Sequence, residues 1–280
     1  MGDMVKVLFL GMARNCAETL GDSIGAINRF HKLGVSAELW VGENGSTDET
    51  RRIIDNSLAR GVRRIGLEHI AEETNRLRRM AIGRETLLNA ARMKASAPDY
   101  IAVVDLDAPF LAQLDPEAII GAIAVLETSP ELFAVSASST PAYYDLLAFV
   151  NGEQSFFHLS GQFQKAKWNP IKYWTLFYRH IYPAQEALTR DDDFLCDSAF
   201  NGLVIYRAND FLRGSYMGPD DGDLICEHVY LNQSIAQGRK VMVSSRLKLQ
   251  APKEHVRLTL TNFFLGYLKS AISRVIGLTK

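Results

Sequence analysis

Charge of one sign is the first thing this 280-residue chain lacks: 31 Lys and Arg stand against 32 Asp and Glu, a formal net charge of −1. No field of a single sign spans such a molecule, which argues against nucleic acid as a partner. Cysteine is scarce as well. Cys16, Cys196 and Cys226 are odd in number and far apart, a pattern of neither a disulfide framework nor a zinc cluster. It predicts a reducing, cytoplasmic setting. Long apolar runs are missing. The stretch 5–12 is far too short to cross a bilayer, and nothing ahead of it has the basic start and small-residue cleavage site of a secretory leader. There is no internal repeat, no low-complexity tract and no G-x-G-x-x-G, so a dinucleotide-dependent oxidoreductase has little support.

The segments that are present alternate. Residues 5–10 are a short run of strand formers ended by Gly11. A helix over 17–33 follows, with Ile24, Ile27 and Phe30 on one face and Gly34 closing it. A strand over 37–41 leads into a polar loop at 42–48, then come helices over 49–59 and 72–95. The run 100–104 is a buried strand ending at Asp105-Leu106-Asp107. This order predicts an α/β fold, with a mostly parallel central sheet and helices on both faces. In the second half, strands are expected over 133–136, 202–206 and 240–243, and a helix over 227–237. The aromatic-rich stretch 143–182 reads mainly as core. Residues 1–257 are expected to form one catalytic domain, with a nucleotide-binding half (1–110) and an acceptor half (111–257).

Ligands on such sheets bind at the carboxyl ends of the strands, and the polar loops fall there. Strand alternation puts Asp105 and Asp107 on one side of the chain, with Leu106 opposite. Two carboxylates at an open strand end can hold a hard cation, Mn²⁺ or Mg²⁺, and through it a diphosphate. The bland alternative is a pair of turn-capping aspartates. In the loop after the second strand, Glu43, Asn44, Ser46 and Asp48 form either a glycine turn with a helix cap or the bed of a nucleotide. Arg14, after the first strand, belongs to the same donor set. Among the crowded arginines of the third helix, Arg84 is the one expected to reach a diphosphate, since guanidinium matches phosphate geometry. Glu227 and His228 open a helix, where they either complement its dipole or serve as base, ligand or acceptor contact. His255 is either a surface histidine or a late metal ligand. The runs Asp191-Asp192-Asp193 and Asp220-Asp221-Gly222-Asp223 read as solvated loops.

Taken together, these features resemble the GT-A glycosyltransferases. The stretch ENGSTDET at 43–50 looks like that group's acidic nucleotide loop, and Asp105-x-Asp107 like its D-x-D motif. A narrower resemblance is to the fungal capsule-associated α-1,3-mannosyltransferases and their bacterial counterparts. It is carried by PAYYDLLAF at 141–149, CDSAFNGLVIYR at 196–207 and CEHVYLNQSIAQG at 226–238. The resemblance implies a metal-dependent transferase moving mannose from GDP-mannose, with retention, to a glycan or lipid-linked acceptor. It implies that Glu43 lies near the nucleobase, that Arg84 stands on the helix before the D-x-D strand, and that Asp107 ligates the metal. Tyr144, Asp145, Asp197, Asn201 and Gly202, inside the quoted blocks, are the acceptor and sugar candidates. The chain departs from the broader pattern in three places. Glu227-His228 replaces the Glu-Asp of many inverting enzymes, Asn201-Gly202 replaces paired glycines, and Ser244-Ser245-Arg246 follows the last strand in place of Asn-Pro. Alternatives are an inverting UDP-sugar transferase and a non-catalytic sugar binder. A haloacid-type phosphatase fits less well, because its D-x-D follows the first strand.

Residues 258–280 are expected to form an amphipathic helix, with Leu260, Phe263, Phe264, Tyr267, Leu268 and Ile272 at helical spacing. Its apolar face is expected to pack on the catalytic domain or on a second subunit of a homo-oligomer. The other reading is peripheral contact at the inner membrane face.

Overall fold

The computed structural model describes residues 4–219 and 225–275. The Asp220–Asp223 run and the last residues of the expected C-terminal helix lie outside the described residues. The first half runs β1 (Lys6–Ala13), α1 (Ala17–Lys32), β2 (Ser36–Glu43), α2 (Thr50–Asp55), β3 (Val62–Gly66), α3 (Arg76–Arg92), β4 (Tyr100–Val104), α4 (Phe110–Gln113) and α5 (Pro116–Thr128). Next come β5 (Leu132–Thr140), the small hairpin β6 (Val150–Asn151) and β7 (Gln154–Ser155), α6 (His158–Ala166), α7 (Pro170–Leu176), a π-helical turn at Phe177–Ile181, and α8 (Tyr182–Leu188). The chain ends with β8 (Phe194–Cys196), β9 (Leu203–Arg207), α9 (Ala208–Phe211), α10 (Glu227–Ile235), β10 (Lys240–Gln250) and α11 (Leu260–Val275).

Eight strands make one sheet in the order β3-β2-β1-β4-β9-β5-β10-β8. The pairs β2–β3, β1–β2, β1–β4 and β5–β10 are parallel, while β9 is antiparallel to both neighbours and β8 to β10. Helices cover both faces, so the central strands are apolar on both sides. Val7 and Phe9 of β1 join one core with α1 and α5, and Leu8 and Leu10 join the other with α3 and α10. The expected stripe of α1 is buried: Ile24, Ile27 and Phe30 face the sheet, and the Phe30 ring lies 5.2 Å from that of Phe9.

The structure departs from the expected elements in places. The helix expected over 49–59 stops at Asp55, and β3 follows as an unforeseen edge strand. Its sequence VRRIG hides it, because charge is common on an exposed edge; Arg63 stacks its guanidinium over Trp40 at 4.6 Å. The helix expected from 72 begins at Arg76, because the Asn75 side chain accepts the Leu77 and Arg78 N–H groups as its cap. The strand expected over 240–243 runs on to Gln250. Ser244 still pairs with Ala137 of β5, and the register then shifts before Lys248, so Ser245 and Arg246, with Leu247, lie in a bulge.

Candidate active site

Strands β1, β2, β4, β5 and β10 point the same way, so their carboxyl ends open on one edge of the sheet. The antiparallel β9 begins at that edge, with Leu203 opposite Val104. The topology therefore brings the residues after β4 (Asp105, Asp107), after β5 (Tyr144, Asp145), before β9 (Asn201, Gly202) and after β10 (His255) to one place. The His255 and Tyr144 ring centroids are 5.2 Å apart, and the Tyr144 hydroxyl is 3.5 Å from the Asp105 carboxylate, at the limit of a hydrogen bond.

The β4 tip is held by its backbone. The Asp105 N–H donates to the Gly202 carbonyl (3.0 Å), and the Thr19 hydroxyl donates to the Leu106 carbonyl (2.6 Å). Two glycines make room. A Cβ on Gly11 would stand 2.6 Å from the Leu106 side chain, and one on Gly202, whose φ is +87°, 2.5 Å from the Tyr144 hydroxyl. Asn201, also left-handed at φ +49°, is a bracket. Its carbonyl oxygen accepts from the Tyr144 and Asp145 N–H groups, and its amide donates to the Ala137 carbonyl and the Ser139 hydroxyl. Asn201 thus positions the Tyr144-Asp145 pair.

Arg84, from α3, is the only arginine side chain among the described residues that enters this cluster. It is buried, and it donates through Nε to Glu227 and through Nη2 to Asp105, both at 2.9 Å. Its remaining nitrogen, Nη1, has no partner among the described residues. One guanidinium therefore serves a set of carboxylates. Desolvation pushes the Asp105 carboxyl up to about 6; Arg84 opposes the rise, while Asp107 and Glu227 add to it. Asp145 is pushed up to about 7, by desolvation and then by Asp105 and Glu227, against Arg84. Asp107 is exposed at the mouth, and nothing among the described residues pairs with its carboxylate.

Several expected site residues have other tasks here. Arg84, expected on a diphosphate, bridges two carboxylates. Glu43, expected at a nucleobase, has a fully buried side chain with both oxygens occupied: one accepts the Ser46 N–H (2.5 Å), the other the Arg51 guanidinium (2.8 and 3.0 Å). Burial alone would raise its pKa, but the Ser46 and Arg51 bonds outweigh that and hold it below the usual carboxylate range. Asp48 accepts the Thr50 and Ala17 N–H groups, and the Ser46 hydroxyl accepts the Asn15 N–H. What this loop leaves unspent is the Asn44 carbonyl oxygen, buried without a partner among the described residues. Arg14 is exposed just past β1.

His228 does not face the cleft. It is buried with its ring flat on Phe200, at 3.8 Å and 14°, and neither ring nitrogen has a hydrogen-bond partner among the described residues, although Nε2 stands 3.8 Å from the Glu227 carboxylate. Desolvation, then Arg84, hold its pKa well below the ordinary value. Glu227 is buried beside it on Arg84, next to a cavity of about 30 Å³ lined by α3, Tyr216 and Tyr230. Asp197 is at the wrong end of the sheet. Cys196 pairs with Val241 near the start of β10, so Asp197 meets Lys240 (2.5 Å) and accepts the Gly152 N–H of the β6–β7 hairpin. The expected three-ligand metal group of Asp105, Asp107 and His255 is not assembled either: no group of three such side chains stands at metal-holding distances among the described residues. Sequence reasoning missed Thr19 and the Phe200–His228 stack, and it took Gly11 as the end of the first strand, whereas Gly11 lies inside β1 and its missing Cβ makes room for Leu106.

No family model matches the chain, and no curated protein matches it. Solved structures do. The glucosyl-3-phosphoglycerate synthase of Mycobacterium tuberculosis, in complex with Mn²⁺, uridine diphosphate and phosphoglyceric acid, aligns over 95% of this chain and 78% of its own at 15% identity, with a TM-score of 0.50. The mannosyl-3-phosphoglycerate synthase of Rubrobacter xylanophilus aligns over 97% and 74% at 14% identity, with a TM-score of 0.47. With the strand order and the acidic β4 tip, the first of these likenesses shows that the chain has the GT-A glycosyltransferase fold.

Proposed function

We propose that the chain is a metal-dependent glycosyltransferase that moves a sugar from a nucleotide-sugar to a glycan or lipid-linked hydroxyl. The observation that carries the reading is the β4 tip, where an exposed, unpaired Asp107 stands beside Asp105, Glu227 and Asp145 with a single buried guanidinium among them. That site is short of positive charge and offers oxygen ligands, which suits a hard divalent cation. Asp107 would hold Mn²⁺ or Mg²⁺, with Asp105 assisting and His255 close by on Tyr144, and the ion would tie the donor's diphosphate to this strand end. When bound, the cation neutralises the leaving diphosphate.

The chain's own groups do the rest. The unspent Asn44 carbonyl accepts a donor N–H or O–H from the nucleoside, a role that an unpaired buried acceptor invites. Arg14 lies on the same edge for the phosphates. Glu43 and Asp48 act at a distance, by holding the loop that presents Asn44. Arg84 positions Asp105 and Glu227, so its contribution is indirect. Tyr144 and Asp145, aimed by Asn201, face the sugar and the acceptor. The Asp145 carboxyl, pushed up to about 7, can exchange a proton near neutrality as the acceptor oxygen replaces the diphosphate on the anomeric carbon. In this assignment residues 1–110 carry the donor and 111–257 the acceptor.

For the donor we favour GDP-mannose with retention, on the resemblance of the blocks at 141–149, 196–207 and 226–238. The test is a panel of nucleotide-sugars that includes GDP-mannose and UDP-glucose, each with and without Mn²⁺. The correct donor at a hundredfold excess over its Kd should stabilise the protein by about 2.7 kcal/mol, and only with metal. GDP-mannose should stand out and yield an α-configured product by NMR. Stabilisation by UDP-glucose alone would replace the donor assignment. Metal-dependent binding without transfer or hydrolysis would make the chain a sugar binder.

A further inference from the structure

Packing uses one stripe of α11 and leaves another bare. Phe263 is buried and Tyr267 half-buried, with their rings 5.1–5.6 Å from those of Tyr173, Phe177 and Tyr178 on α7 and the π-helical turn. The Tyr178 hydroxyl donates to the Leu258 carbonyl (2.6 Å), which fixes the start of the helix. Leu260, Phe264, Leu268 and Ile272, at four-residue intervals, and Leu265 beside them are 41–60% exposed. Trp168 and Ile171, at the α6–α7 junction of the same module, are 58% and 72% exposed. Single exposed leucines are ordinary. Five large apolar side chains on successive turns of one helix form a continuous surface of the kind that marks an interaction site.

The charge around that surface is one-sided. Between residues 158 and 188, Lys165, Lys167, Lys172 and Arg179 are opposed by Glu186 alone. Between 252 and 275, Lys253, Arg257, Lys269 and Arg274 are opposed by Glu254 alone. Eight cationic residues against two acidic ones give these two segments an excess of positive charge in a chain whose net charge is −1; Arg257 is paired with Glu186 at 2.9 Å. Lys165, Lys172, Arg179 and Lys269 are exposed on these segments. A bare apolar stripe flanked by cations complements an anionic lipid surface. It is a poor homotypic interface, because two copies would bring like charges together. No described helix is long and apolar enough to cross a membrane, so the contact would lie in the plane of the interface.

We propose that α11, with the basic α6–α8 module beneath it, docks this protein onto an anionic bilayer surface. The inference is independent of the sugar-transfer reading. The full chain is sedimented with vesicles of phosphatidylcholine and with vesicles of phosphatidylcholine and phosphatidylglycerol in equal parts, at low and high salt. Binding to the anionic vesicles should exceed binding to the neutral ones by about tenfold or more and fall with salt. The Leu265→Glu/Leu268→Glu variant should lose about tenfold or more of that binding while keeping the far-UV spectrum and melting temperature, since both positions are exposed. Lys172→Glu/Lys269→Glu should remove most of the preference for anionic lipid and of the salt dependence. Failure to sediment with either vesicle overturns the proposal, as does equal binding to both. A dimer seen by light scattering, dispersed by Leu265→Glu/Leu268→Glu and indifferent to vesicles, would make the stripe a subunit interface instead.

Discussion

The loops after β2 and β4 lie on either side of β1, at the same edge of the sheet, and both are acidic. They dispose of their charge in opposite ways. After β2, every carboxylate oxygen of Glu43 and Asp48 accepts from within the loop or from its immediate neighbours. After β4, Asp105 shares its guanidinium with Glu227, and Asp107 has no partner among the described residues. A loop that satisfies itself holds a shape. A loop that leaves charge over, at the open end of a strand, is arranged for something that arrives later. The same edge thus separates a support from a candidate ligand site, although the two stretches look equally acidic in sequence.

The contrast breaks first at Asp107. Asp107→Ala should lower transfer by about 10²–10³-fold or more and leave the unfolding free energy within about 0.5 kcal/mol of the parent, as for a surface substitution. Initial rates at saturating donor and a urea titration measure the two arms. A near-parental rate that still requires metal would remove Asp107 from the ligand set.

Arg84 tests the β4 side from within. Arg84→Met leaves Asp105 and Glu227 without their shared cation, and should destabilise by about 3–5 kcal/mol. Adding Asp105→Asn and Glu227→Gln, which remove the stranded charge, should recover a large part of that loss. If the triple variant is no more stable than Arg84→Met, the guanidinium contributes through its packing on Phe200, 4.9 Å away, and not through charge.

The smallest effect is expected on the β2 side. Glu43→Gln weakens the bonds to Ser46 and Arg51 and should cost about 1–3 kcal/mol, with donor affinity falling only as far as the loop loosens. Its pH dependence has a definite sign. The folded-state pKa of Glu43 lies below its ordinary value, so its contribution is complete above the ordinary carboxylate range and is lost as pH falls through the folded value. The stability gap between parent and Glu43→Gln should therefore be widest at neutral pH and close in acid. A gap that stays constant into acid would show that the carboxylate charge is not what closes the loop.

The layered α/β plan and the acidic strand ends are legible along the chain. Apolar runs such as that of β4 are punctuated by Gly, Asp and Asn, and the stripe Ile24, Ile27 and Phe30 has a helical period; both signals are local and survive in one dimension. Strand direction is not a local signal, because the two-residue alternation reads the same either way. Packing of the folded chain makes β9 enter antiparallel, which sets Gly202 against Asp105 and lets Asn201 hold Tyr144 and Asp145. The antiparallel pairing of β8 likewise carries Asp197 away to Lys240. Partner choice was equally hidden. Nothing in ENGSTDET says that Arg51 will claim Glu43, and nothing near Arg84 says that it will meet Glu227, 143 residues later, in place of a phosphate. Burial makes those choices, since a charge taken out of water must find its counter-charge wherever the packed chain has brought one.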